Sequence, residues 1–190
     1  MSQFEFLFSL FTIVMGLSLV ELLAGLGRAL EFRLGGAARS EGFSFGWLTP
    51  LLAIFVILDL LSFWMFAWTV RELVVVSALS VVAIVAFSGA YYLAARLVFP
   101  SDPERFQDLD VHYHRVQRVV FVMLIAMLAM QWAFVLMQSQ LRAMAASPVS
   151  LAMTLVLLAL MIAAALVRNR NASIAILVAL IARYLAIYVT

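Results

Sequence analysis

The sequence predicts an all-α fold, a polytopic membrane helix bundle of six transmembrane helices with an interfacial amphipathic helix between the third and the fourth. Three observations carry this. Hydrophobic residues make up 67% of the chain and charged residues 12%, a balance outside the range of water-soluble domains. There are six apolar stretches of roughly 20 residues each, the length that crosses a hydrocarbon core of about 30 Å. Residues that start and stop helices separate them. A chain of 190 residues has no room beside six spans for a soluble domain, so 1–190 reads as one transmembrane domain.

The elements follow in order. Ser2 and Glu5 have the spacing of a capping box, and the first helix covers about 4–32 before Gly35-Gly36 stops it. The start has no basic segment and no small-residue cleavage site, so this helix is expected to be retained and not removed as a signal peptide. Residues 39–46 read as a polar loop, with Phe43, Phe45 and Trp47 near the interface. Thr49 as N-cap and Pro50 at the first helical position open the second helix, about 50–70. Arg71-Glu72 makes a tight turn, and the third helix covers about 73–98, with Pro100 ending it.

Residues 101–118 are the one extended polar stretch. Asp102-Pro103 caps a helix in which Phe106, Leu109, Tyr113 and Val116 share one side, while Arg105, Asp108, His112 and Arg115 share the other. This segment is expected to lie on the membrane surface with its charged side solvated. The fourth helix then covers about 116–137. Ser147-Pro148 starts the fifth, about 149–167, and 168–171 turns the chain into the sixth, about 172–189.

Arginine sets the orientation. Loops 1, 3 and 5 carry Arg28, Arg33, Arg39, Arg96, Arg105, Arg115, Arg118, Arg168 and Arg170, against Arg71 and Arg142 on the other side. The positive-inside rule makes those three loops cytoplasmic and places both termini outside.

Composition also removes classes of function. With no cysteine, disulfides, thiolate metal sites and cysteine nucleophiles are excluded. All twelve basic residues are arginine, a genome-composition trait more than a nucleic-acid surface, and no nucleic-acid partner is expected. No phosphate-cradling glycine motif or serine–histidine arrangement is present, so an enzyme is not expected. No cofactor is expected either. Met123, Met127 and Met130 with Trp132 are compatible with bound lipid or pigment, although such stripes are usually packing.

Asp59 is the most informative residue, because it sits near the middle of an apolar run over 51–70. A carboxylate at that depth costs at least about 2.5–3.5 kcal/mol on insertion scales, so it needs a partner or water. Asp59 lies about 15 Å into the second helix, and Arg183 about 18 Å into the sixth. Both helices start on the cytoplasmic side, so the two are depth-matched and are expected to form an intramembrane ion pair, directly or through water. In the first helix Ser18, Glu21, Gly25 and Arg28 recur at spacings of three and four, hence on one inward face. Glu21 is the candidate second acid for Arg183. The functional reading of this cluster is a proton or ion relay; the alternative is a static salt bridge that fixes helix register.

Ser18, Ser62, Ser88 and Gln131 are candidate pathway or interhelical polar residues, with packing the ordinary reading. His112 and His114, the only histidines, are two positions apart and so point to different sides of a helix. With Asp108 and Asp110 they are weak metal candidates, and no metal site is expected.

The two halves share punctuation. Thr49-Pro50 matches Ser147-Pro148, and Ala90-Tyr91-Tyr92-Leu93-Ala94 matches Ala182-Arg183-Tyr184-Leu185-Ala186. Half-repeats 1–99 and 116–190, joined by the surface helix 100–118, would be a 3+3 inverted repeat of the kind common in secondary transporters. Chance similarity among Leu-, Ala- and Val-rich helices is the competing explanation.

Tyr91-Tyr92-Leu93-Ala94-Ala95, continuing through Phe99-Pro100-Ser101-Asp102-Pro103-Glu104 to Asp108-Leu109-Asp110 and Tyr113, resembles small uncharacterised six-span membrane proteins of alphaproteobacteria. Gly46-Trp47-Leu48-Thr49-Pro50-Leu51-Leu52 and Leu58-Asp59-Leu60 are similar to the same group. The resemblance implies a bacterial inner membrane and brings no activity. Two function classes follow. One is a small transporter or channel built on the midplane charges. The other is a non-catalytic accessory or scaffold subunit of a larger membrane complex, or a homo-oligomer. A hydrated cavity reaching Asp59 favours the first and a solid bundle the second.

Overall fold

The computed structural model describes residues 3–34, 46–100 and 108–189. The Ser2 cap, the Gly35-Gly36 stop, Arg39, Phe43, Phe45 and Asp102-Pro103 lie outside the described residues. Among those described there are seven α-helices and no strand: α1 Gln3–Leu34, α2 Leu48–Thr69, α3 Ala78–Val98, α4 Leu109–Met137, α5 Ser139–Ala145, α6 Pro148–Leu166 and α7 Arg170–Val189. All but the short α5 are long and apolar enough to cross a membrane. The fold class is the one the sequence predicts.

Four boundaries differ from expectation, each for a local reason. Helix α2 starts at Leu48, and its N-cap is Trp47, which makes no side-chain cap bond. Thr49 is not the cap; its hydroxyl donates instead to the Leu109 carbonyl, 2.8 Å away. Helix α3 starts at Ala78, five residues late, because a 3-10 turn at Arg71–Leu73 and an extended stretch precede it. Ser77 and Ser80 form the capping box there: the Ser80 amide donates to Ser77 Oγ at 3.1 Å and the Ser77 amide to Ser80 Oγ at 2.7 Å. Val74 and Ser77 are extended, and the β-branched Val74, Val75 and Val76 between the turn and the helix favour such a non-helical link.

The third difference concerns the surface helix. Residues 109–118 are the first turns of the continuous 29-residue α4, which opens on Asp108 as N-cap, its Oδ1 accepting from the Asp110 amide at 2.8 Å. Asp110, His112, Tyr113 and Gln117 are buried against other helices, so this stretch has no fully solvated polar side. Its polar residues read as a surface face because their partners are backbone groups distant in sequence. Fourth, α5 was not anticipated. After Met137 the chain turns, and Arg142 donates from Nε and Nη2 to the Leu136 carbonyl at 3.0 and 2.7 Å, satisfying one of the free carbonyls at the end of α4. The Ser147 cap with Pro148 at the start of α6 is as read from sequence.

The most extensive packing joins α1 to α3, followed by α2 with α7, α3 with α4, and α4 with α6. The segments 1–99 and 116–190 therefore interlock through α2 with α7 and α3 with α4. The pairs an inverted repeat would equate are not packed alike, since α1 lies along α3 while the main neighbours of α4 are α3 and α6. Two glycines permit close approaches. A Cβ on Gly25 would enter the ring of Phe99, and one on Gly46 would enter the carboxyl group of Asp110.

Candidate functional site

Asp59 belongs to the interior stripe of α2. Phe55, Val56, Asp59, Leu60 and Phe63 are all buried, at the spacing of one helix face, and Asp59 itself is 4% exposed. The buried stripe of α3 brings Tyr91 to it, and that of α7, through Ser173, Leu177, Leu180 and Tyr184, brings Tyr184. The Tyr91 hydroxyl donates to Asp59 Oδ2 and the Tyr184 hydroxyl to Oδ1, both at 2.5 Å. One carboxyl group thus ties three helices together. The Tyr91 oxygen also lies 3.4 Å from the Val56 carbonyl, and Tyr188 donates to the Leu58 carbonyl at 3.2 Å. Rings close the surroundings. Phe55 stacks on Phe121 with centroids 5.7 Å apart, and Phe63 meets Tyr91 edge-on at 5.7 Å.

Arg183 is not the direct partner of Asp59. Its Nε donates to the Met153 carbonyl of α6 at 3.2 Å, and its guanidinium lies 5.2 Å from the centre of the Tyr184 ring. Its charge acts on Asp59 only through space. Depth along α2 and α7 matches Asp59 to the level of Arg183, and the residue that meets it is the next one, Tyr184. One residue is a rotation of about 100° around a helix, enough to send position 183 toward α6 while 184 enters the core.

Glu21 does not join the cluster either. It pairs with Arg96 of α3 and, at 3.9 Å, with Arg28 of its own helix. The cause is packing: α1 lies along α3, whereas α7 lies along α2 and α6. Ser18 and Ser88 donate to the carbonyls four residues back, Val14 at 3.0 Å and Ile84 at 2.7 Å, so both hydroxyls are satisfied within their own helices. Ser62 is half-buried on α2.

The arginine-bearing helix ends meet in a second polar region. Asp110 Oδ1 accepts from the Leu48 amide at 3.0 Å, and Arg170 Nε stands 2.8 Å from Oδ2. Gln117 donates to the Val167 carbonyl at 3.2 Å, satisfying the end of α6. His112 meets the Leu97 carbonyl at 3.1 Å, whereas His114 meets Gln117 Oε1 at 3.0 Å, so the two imidazoles face different partners.

At the opposite end lies a cavity of about 290 Å³ between α1, α2, α3 and α4. Its walls include Phe8, Phe11, Phe63, Phe87 and Phe134, and Gln131 lines it as well. Phe63 and Phe87 pack edge-on with centroids 5.0 Å apart. Asp59 does not line the cavity and lies one helical turn from Phe63 along α2.

The sequence reading missed Tyr91, Tyr184, Asp110 and Gln117. Two of these had a signal: Tyr91 and Tyr184 fall in the segments that the half-repeat comparison singled out, one register step apart. No protein-family model, curated protein or solved structure matches this chain.

Proposed function

We propose that this is a small multi-pass transporter of the bacterial inner membrane, in which Asp59 takes up and releases a proton during turnover. One observation carries the reading: Asp59, at mid-membrane depth, contacts two neutral phenols and, among the described residues, no cation. A static salt bridge would explain a buried acid by charge compensation, but Arg183 is turned to another carbonyl. Intramembrane acids without a paired cation are costly and mark proton or ion handling.

The hydrogen bonds close in both protonation states. With Asp59 ionised, Tyr91 and Tyr184 each donate to one oxygen. With Asp59 protonated, the Oδ2 hydroxyl donates to the Tyr91 oxygen, the Tyr91 proton turns to the Val56 carbonyl, and Tyr184 still donates to Oδ1. No buried polar group is stranded by the change.

Reconstitution into vesicles holding a pH-sensitive dye tests this. Under an imposed pH gradient wild-type protein is expected to pass protons, and Asp59→Asn at least tenfold fewer. Equal flux in the two, or none in either, supports the second reading, an accessory or scaffold subunit. The burial of Asp59, which forms no part of the cavity wall, favours that second reading.

The proposal includes the orientation given by arginine, with loops 1, 3 and 5 cytoplasmic. Because the chain has no cysteine, single substitutions report sidedness without background. Ser147→Cys is expected to react with a membrane-impermeant maleimide added to intact spheroplasts, and Asn169→Cys only after lysis. The reverse pattern inverts the topology.

A further inference from the structure

The chemistry of the cavity between α1, α2, α3 and α4 describes an occupant. It is lined almost wholly by hydrocarbon, with several phenylalanine rings and no charged side chain. At about 290 Å³ it stands at the lower edge of small-molecule sites, roughly 300–1,000 Å³. Two polar residues reach it. The Ser80 hydroxyl is already engaged with Ser77 and the Val75 carbonyl. Gln131, half-buried on α4, has no hydrogen-bond partner among the described residues. An amide at membrane depth with nothing to bond is costly, and it carries both a donor and an acceptor.

We infer that the cavity binds one neutral, ring-bearing amphiphile dissolved in the membrane, its single hydroxyl, amine or carbonyl group on Gln131 and its rings against the phenylalanines. Charged solutes are excluded, since no ionised group lines the wall to compensate them. A phospholipid chain would fill apolar volume but leave the Gln131 amide unsatisfied. This inference rests on the transport reading only in making the amphiphile the cargo. Phe63 and Phe87 form both the cavity wall and the ring packing around Tyr91, so an occupant would press on the side chain that holds the Asp59 proton.

Binding is testable without transport. Trp64 and Trp68 lie beside Phe8, with ring centroids 6.5 and 5.7 Å away, and can transfer excitation energy to N-phenyl-1-naphthylamine, a neutral aromatic amine. Titrated into protein in nanodiscs, this probe is expected to show a saturable transfer at one probe per chain, above a linear partitioning background. Ala67→Phe and Ala83→Phe, which fill the cavity from α2 and α3, are expected to remove the saturable part. Gln131→Leu should weaken it about tenfold, with thermal melting confirming that each variant is folded. Linear transfer alone in wild type, or saturation unchanged in both filled variants, overturns the inference. So does one phospholipid per chain that the probe cannot displace. Saturation in protein that passes no protons sinks the transport reading and leaves the binding site standing.

Discussion

Replacing Tyr91 and Tyr184 together with phenylalanine is expected to lower stability by about 2–6 kcal/mol, taking 1–3 for each polar contact stranded in a dry interior. Against a total of about 5–15 kcal/mol, that change can keep the protein from accumulating in folded form. The alternative magnitude is much smaller. Interhelical hydrogen bonds in membranes average about 0.6 kcal/mol, because the unfolded helices also find partners, so two bonds merely lost would cost about 1. What separates the cases is whether Asp59, buried in the core, is left without donors, and among the described residues the two phenols are the ones it has. Adding Asp59→Leu to the double variant is expected to restore stability, because removing the stranded group with its partners can be neutral or better. The check is thermal unfolding in mild detergent. A double variant melting with wild type, or a triple variant no better than the double, would show that the phenols do not sustain Asp59.

Asp110→Ala is the second large effect, at about 1–4 kcal/mol. Two losses combine. The Leu48 amide at the first turn of α2 loses its acceptor, at about 1–3 kcal/mol for a buried orphan donor. Arg170 loses its carboxylate, but its side chain is 56% exposed, so that contribution stays below about 1 kcal/mol. Asp110→Asn keeps an oxygen for the amide and is expected to cost only the smaller share. Gly46→Ala should match Asp110→Ala, since the added methyl would occupy the place of the carboxyl group. Melting temperatures of the three variants decide it. Equal loss in Asn and Ala would assign the effect to charge instead of the helix-start bond.

The long apolar helices were legible because their signal is local, in twenty-residue runs and in caps such as Ser147-Pro148. The start of α3 was legible in retrospect, in Ser77 and Ser80, yet the apolar run beginning at Leu73 hid it. Asp59 stood out through its cost alone. Its partners did not, because choosing Tyr184 over Arg183 needs the rotation of α7 about its axis, which is set by packing against α2 and α6 and not by depth. Asp110 gives no local sign of its role because the Leu48 amide and Arg170 that engage it lie 62 and 60 positions away, on other helices.

Spacing along the chain gives the Asp59 contacts an order in time. Tyr91 follows Asp59 by 32 residues, but Tyr184 follows it by 125. At synthesis rates of about 5–20 residues per second, the acid waits roughly 6–25 s for its second donor, while four further helices emerge. Throughout that interval α2 carries an incompletely bonded carboxyl group, and only the arrival of α7 completes it. A chain cut short before Tyr184 would keep that defect, which distinguishes unfinished molecules from finished ones at the membrane.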